Sequence, residues 1–324
     1  MDVTLLRELF FDAVSRGSVE ELENLIDNCT THEREQVIEF VHSSNEIGET
    51  PLLLAVKGNH KEMVDFLTLE LGASVSQNRK FVWQGICYEG ITPLFVALVG
   101  SNKTSPFIIR SLIPSLPARA FGRNDTSLIH STMSSTNTRP QKIDLLELIG
   151  AAYILEDHTE KSTEFGLACW KQAMLLRQAS SGESAVPKDD VIMERIPNCF
   201  HNITEVATIE ELEYLAIDPV RNKHLLKIQS LFVLRRILHR AHPIPSLYFL
   251  HHIFLIGCFT KITPDINIML FILESYHGHE WETGGDENHV KLMFSHMRSC
   301  FGFTLPRHPV PLESLLKTIW FAFF

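Results

Sequence analysis

At 324 residues, 45% of them hydrophobic, the chain can bury a sizeable core and hold two domains. Its net charge of −10, with no long basic run, excludes a general nucleic-acid binder, because phosphate binding needs clustered Lys and Arg. The six cysteines (Cys29, Cys87, Cys169, Cys199, Cys258, Cys300) are scattered without a C-x-x-C pair, poor material for a zinc site or disulfide framework and suited to reduced thiols in a cytosolic protein.

Met1 to Val14 carries Asp2 and Glu8 and lacks a basic region ahead of an apolar block, so it does not read as a signal peptide. Leu6, Leu9, Phe10, Ala13 and Val14 instead share one helical face. Gly17 ends that helix, and Ser18 with Glu21 forms a capping-box pattern for a second, with Leu22, Leu25 and Ile26 as its apolar face.

A repeat organises this region. Thr50-Pro51-Leu52-Leu53-Leu54-Ala55 recurs as Thr92-Pro93-Leu94-Phe95-Val96-Ala97, and the Gly after each helix recurs at Gly58 and Gly100. Ala13, Ala55 and Ala97 lie 42 positions apart each time, longer than the roughly 33 of an ankyrin repeat, which predicts extended loops between helix pairs. Thr50 is placed to cap a helix with Pro51 at its first position, where the missing N–H costs nothing. Met63, Val64, Phe66 and Leu67 supply the second helix of that unit. The third unit reads as degraded, because Ser101 to Pro106 interrupts it and Pro114 and Pro117 stop it. Its Leu94, Phe95, Ile108, Ile109 and Leu112 are then expected to be partly exposed or covered by the segment that follows. Such a stack usually offers a protein-binding surface.

Ala118 to Gln141 is rich in Ser, Thr and Asn without an apolar period and reads as a linker. Helical pattern resumes with Ile143, Leu146, Ile149, Gly150 and Tyr153, then Phe165, Ala168, Trp170, Ala173 and Met174, in a TPR-like order in which small residues admit close helices and aromatics fill the gap. Thr208 and Glu211 open a short helix, Ile209 to Ala216, whose Glu210, Glu211 and Glu213 read as a solvent face. Leu225 to Leu238 reads as a mostly buried helix. Arg235 and Arg236 near its end complement the helix dipole or offer themselves to an acidic partner. Ile244 to Phe259, at 16 residues with two histidines, falls short of the roughly 20 apolar residues of a membrane span and predicts a buried helix. Ile266 to Leu273 reads as a further helix and Tyr276 to Glu287 as a polar loop.

The first hundred residues resemble the N-terminal ankyrin repeats of fem-1 homologues, including a long finger here running from Gly72 through Phe81-Val82-Trp83-Gln84-Gly85 to Glu89-Gly90. Leu146 to Ala151 with Trp170, Ala173, Met174 and Arg177 resembles the segment after the family's ankyrin array. Thr208 to Leu215, Asp218-Pro219, Gln229, Leu231, Arg236 to Leu238 and His242-Pro243 resemble the next, in family order. The resemblance implies a substrate receptor of a cullin-2 RING ubiquitin ligase, with an ankyrin groove for C-terminal degrons often ending in Arg and a VHL box that recruits elongin and cullin-2. It also implies departures. Only Ser101 to Lys142 stands where the family has several more ankyrin repeats, and nothing near Leu312 to Phe324 resembles a VHL box. Gln84 stands where the family's finger carries an Asp that pairs with the degron Arg.

No G-x-S-x-G, P-loop or H-E-x-x-H occurs, so no enzyme is expected. His277, His279, Glu280, His289 and His296 read as a solvated loop rather than a metal site, and no cofactor is expected. The expected fold is all-α: an ankyrin-repeat stack over 1–116, a linker over 117–142, a TPR-like helical domain over 143–275 and an irregular tail over 276–324. The expected function is a cytoplasmic or nuclear ubiquitin-ligase substrate adaptor without nucleic-acid or membrane partners; the alternative is an ankyrin/TPR scaffold without ligase recruitment. Peptide binding is expected by the finger, at Trp83, Gln84, Tyr88 and Phe95.

Overall fold

Two Thr-Pro starts set the local structure of the first third. Thr50 Oγ1 accepts the Leu53 N–H at 3.2 Å and Thr92 Oγ1 accepts that of Phe95 at 3.4 Å, each with Pro at the first helical position. The computed structural model describes residues 2–75, 79–100, 104–113, 127–156, 160–178, 183–188, 203–240, 245–259 and 271. The chain divides into two compact units, Met1–Leu145 and Leu146–Phe324, with the division inside one helix.

The first unit opens with α1 (Val3–Arg16), α2 (Val19–Asp27) and α3 (Thr31–His42). Gly17, at φ +71°, closes α1. Ser18 caps α2 as expected, but Glu21 completes no capping box; its carboxylate pairs instead with Arg16 at 2.6 Å. Helix α3 was not expected. Thr30 and Glu33 form both halves of its capping box, and Val37, Phe40 and Val41 bury its inner face.

The second pair is α4 (Pro51–Lys57) and α5 (Lys61–Asp65), the latter running on into a π-helical turn over Phe66–Glu70. His60 explains two of the helix-ending glycines, Gly17 and Gly58. A Cβ on Gly17 or on Gly58 would lie 2.4 Å from its ring, so both positions must be bare for the ring to fit. His60 Nε2 also lies 3.0 Å from the Ser15 carbonyl of the preceding pair, while Asn59 Oδ1 accepts the Ser105 N–H of the following pair at 2.8 Å. One short turn thus ties three successive helix pairs together.

The third pair, α6 (Pro93–Val99) and α7 (Pro106–Leu112), is complete. The expectation of a degraded unit fails because Pro106 starts α7 at its first position rather than interrupting it. Leu94, Phe95, Ile108, Ile109 and Leu112 are all buried. Between the second and third pairs stands the finger, an antiparallel hairpin of β1 (Arg79–Trp83) and β2 (Ile86–Ile91), whose strands are the only two among the described residues. Gln84 and Gly85, at φ 53° and 74°, form its two-residue turn, the left-handed pair that matches hairpin twist.

The expected linker is corrected in its described part. It carries α8 (Ser127–Ser134), and α9 (Arg139–Glu156) begins inside it. Its polar residues are structural. Asn137 accepts the Glu89 N–H at 2.7 Å and donates to the Glu89 carbonyl at 2.7 Å, and Gln141 Nε2 donates to the Cys87 carbonyl at 2.8 Å. The finger's second strand is held by side chains that composition alone assigns to a loop.

In the second unit, α9 and α10 (Glu160–Arg177) pack at Gly150 and Gly166. A Cβ on Gly150 would meet Trp170 Cδ1 at 2.6 Å and the Gly166 carbonyl at 2.8 Å. Trp170 Nε1 donates to the Glu147 carbonyl at 3.0 Å, so the ring fills the gap with its polar atom satisfied. Then come α11 (Ile209–Ala216), with the expected Thr208–Glu211 capping box, α12 (Lys223–Leu238) and α13 (Leu247–Phe259). Helices α12 and α13 pack together, and α13 is buried on nearly every side, as an apolar helix of this length should be. Among the described residues no helix is long and apolar enough to cross a membrane. The helix expected over 266–273, apart from Phe271, and the loop over 276–287 lie outside the described residues.

Candidate protein-interaction surfaces

The four finger residues expected to bind peptide separate into two kinds. Trp83, Tyr88 and Phe95 form one cluster, with ring centroids 5.5 to 6.0 Å apart, and all three are buried. Their faces are spent on one another, which anchors the hairpin to α6 and leaves no open ring for a guanidinium. Gln84 alone is exposed, at the tip. Around it the hairpin shows apolar Val82 and Ile86, 63% and 49% exposed. On the polar side, Lys80 Nζ pairs with Glu89 at 2.8 Å, and Thr136 also bonds the Glu89 carboxylate. The Lys80 and Thr136 bonds to Glu89 hold its carboxyl below the usual range.

The second unit carries a site that sequence patterning missed. Arg236, read as a dipole-complementing or partner-binding surface residue, is 2% exposed. Its guanidinium donates to Glu147 Oε2 at 2.7 Å and to both Glu205 oxygens at 3.0 Å. Arg177 adds a two-point contact to Glu147 at 2.9 and 3.0 Å, and Lys188 reaches Glu205 at 2.8 Å. Burial pushes the Glu147 carboxyl up, but Arg236 and then Arg177 outweigh it and hold it at about 2. The signal in the sequence is slight: one Glu within the otherwise apolar Leu145–Ile149 run, and one of two adjacent Arg at the end of a mostly buried helix.

This cluster positions the segment 203–206. Glu205 is clamped by Arg236 and Lys188, while Gln229 Oε1 accepts the Val206 N–H at 2.7 Å and Gln229 Nε2 donates to the Thr204 carbonyl at 2.9 Å. Pinned so, Ile203 and Val206 form one wall of a groove of about 580 Å³. Helix α11 supplies Glu210, Tyr214 and Leu215 to it, and α12 supplies Leu225 and Gln229. Its size falls within the range of small binding clefts, roughly 300–1,000 Å³.

No group of three or more metal-ligating side chains occurs among the described residues, and His277, His279, Glu280, His289 and His296 lie outside them.

Residues 47–80, the second helix pair and the approach to the finger, match the ankyrin repeat. The chain is 32% identical over 139 residues to protein fem-1 homolog A of Danio rerio, covering 42% of this chain and 21% of that protein. It is 27% identical over 161 residues to protein fem-1 homolog CG6966 of Drosophila melanogaster, covering 50% and 19%. It is 25% identical over 237 residues to protein fem-1 homolog A of Bos taurus, covering 73% and 29%. The matches thus span less than a third of each of these relatives.

Proposed function

We propose that this fem-1-like chain, a repeat protein built for protein–protein interaction, acts as a substrate-recognition adaptor of a cullin-RING ubiquitin ligase and receives C-terminal degrons at its finger. The observation that carries the reading is the finger itself. A hairpin is inserted between two ankyrin-type pairs, anchored below by Trp83, Tyr88 and Phe95 and along β2 by Asn137 and Gln141. It presents Gln84 between exposed Val82 and Ile86. An anchored tip is pre-organised, which lowers the ordering cost of binding an extended peptide. The part assigned to the aromatics is to hold the tip; Gln84, an amide with both donor and acceptor, faces the peptide. The TPR-like helix pairs of the second unit complete the adaptor, and the free thiols Cys29, Cys87 and Cys169 suit a reducing compartment, cytoplasm or nucleus.

Affinity purification of the tagged full chain from cultured cells, scored for elongin and cullin-2, tests the ligase step. Their co-purification is the expected result. A chain that retains protein clients but brings down neither subunit is a repeat scaffold without ligase recruitment.

A further inference from the structure

We propose that the groove between the 203–206 segment, α11 and α12 is a second docking site, for an internal protein segment that places an aliphatic side chain beside a basic one. The proposal does not rest on the adaptor reading. Ile203, Val206, Leu215 and Leu225 give the groove an apolar lining with room for one or two aliphatic side chains. Tyr214 lines it and is 70% exposed, and Ile217 and Val220, three and six positions later in the chain, are 79% and 70% exposed. Packing among the described residues does not cover these three large apolar side chains. An exposed aromatic side chain beside an apolar cleft is a usual mark of an interaction site.

Charge decides the partner's chemistry. The acidic residues that meet this groove are Glu210 and Glu211. Glu211 is committed, since its carboxylate accepts the Ala207 and Thr208 N–H groups at 2.7 and 3.2 Å. Neighbouring Glu213 is paired with Lys171 at 2.6 Å. Glu210 has no ion-pair partner among the described residues and is exposed at the groove wall. An uncommitted carboxylate beside an apolar cleft, on a chain of net charge −10, selects a Lys or Arg next to the aliphatic anchor and disfavours an acidic one. Gln229 bonds the backbone on both sides of Glu205, and Arg236 holds the Glu205 side chain, so the wall of the cleft is pre-organised.

The test is a fluorescence-anisotropy titration of the full chain with a labelled, C-terminally amidated peptide of alternating Leu and Arg, and with its Leu–Glu counterpart. Amidation removes the free carboxylate that recognition at the finger requires, so failure of one reading leaves the other standing. The basic peptide should bind and the acidic one should not. Tyr214→Ala should weaken binding about fivefold or more, as loss of an aromatic anchor does. Glu210→Gln should weaken it about twofold to fivefold, with the difference vanishing at high salt. Glu20→Gln, an equal charge change at a residue that does not line the groove, should leave affinity unchanged. Tyr214 and Glu210 are both exposed, so these variants fold. Binding unaffected by Tyr214→Ala, equal responses to Glu210→Gln and Glu20→Gln, equal affinity for both peptides, or no binding at all would each overturn the proposal.

Discussion

Arg236 Nη2 lies 2.7 Å from Glu147 Oε2, joining α12 to α9 across 89 positions of the chain, with both side chains nearly inaccessible. A buried pair of this kind adds little over an apolar replacement, but removing one partner leaves an uncompensated charge. Arg236→Met should therefore destabilise the second unit by about 3–5 kcal/mol in urea unfolding. The double change Glu147→Leu with Arg236→Met should recover much of that loss. A single substitution costing less than about 1 kcal/mol, the level of an exposed pair, would mean that the cluster is slack.

The same cluster sets an acid limit. The Glu147 carboxyl is held at about 2 in the folded chain, below its unfolded value of about 4.3. A depressed carboxyl contributes fully above its unfolded pKa and loses that contribution as pH falls towards its folded one. Stability should thus drop between about pH 4.5 and 2. Urea midpoints of the wild type and Glu147→Gln, compared at pH 7 and pH 3, should converge at the lower pH. A constant gap would assign the stabilisation to something other than ionisation.

The His60 seat gives a steric prediction. Gly17→Ala meets both a left-handed backbone and a Cβ 2.4 Å from the His60 ring, whereas Gly48→Ala at φ +83° meets open space. The second change should cost about 1 kcal/mol, the conformational penalty alone. The first should cost clearly more. His60→Ala in the Gly17→Ala background should relieve the excess, as a double-mutant cycle would show.

Asn137 stands in for a strand partner of Glu89, and its loss would strand a donor and an acceptor of β2. Asn137→Ala should lower stability by about 2–3 kcal/mol and raise hydrogen exchange in the finger more than in α1. For the same reason a fragment ending at residue 120 should melt well below one ending at residue 145. Equal melting would show that 127–145 does not support the finger.

Much of the first unit could be read in advance because its signals are local. The Thr-Pro starts and the Gly after each helix report capping and close approach within a few residues. Helix α3 was equally legible, from Thr30 and Glu33 with Val37, Phe40 and Val41, but it falls between the repeat's landmarks. What pattern could not show is partnership at a distance. Asn137 and Gln141 look like loop residues until β2 is beside them, and Arg236 looks like a helix-end cation until Glu147 and Glu205 converge on it. Trp83 and Tyr88 lie on the hairpin and Phe95 on α6, and their burial depends on three rings meeting, which spacing does not reveal.

In the proposed function the finger reads the C-terminus of a partner protein through Gln84. The direct measurement titrates a Gly-Ser peptide ending in Arg, with a free carboxylate, and its amidated twin against the full chain and the Gln84→Asp variant. Asp tolerates the left-handed turn position, so the variant should fold. The free-carboxylate peptide should bind more tightly than the amidated one. Gln84→Asp should strengthen binding about fivefold to tenfold, the step from a neutral to a charge-assisted hydrogen bond, and the gain should shrink at high salt. Equal affinity for both peptides, or no response to Gln84→Asp, would contradict recognition at the finger.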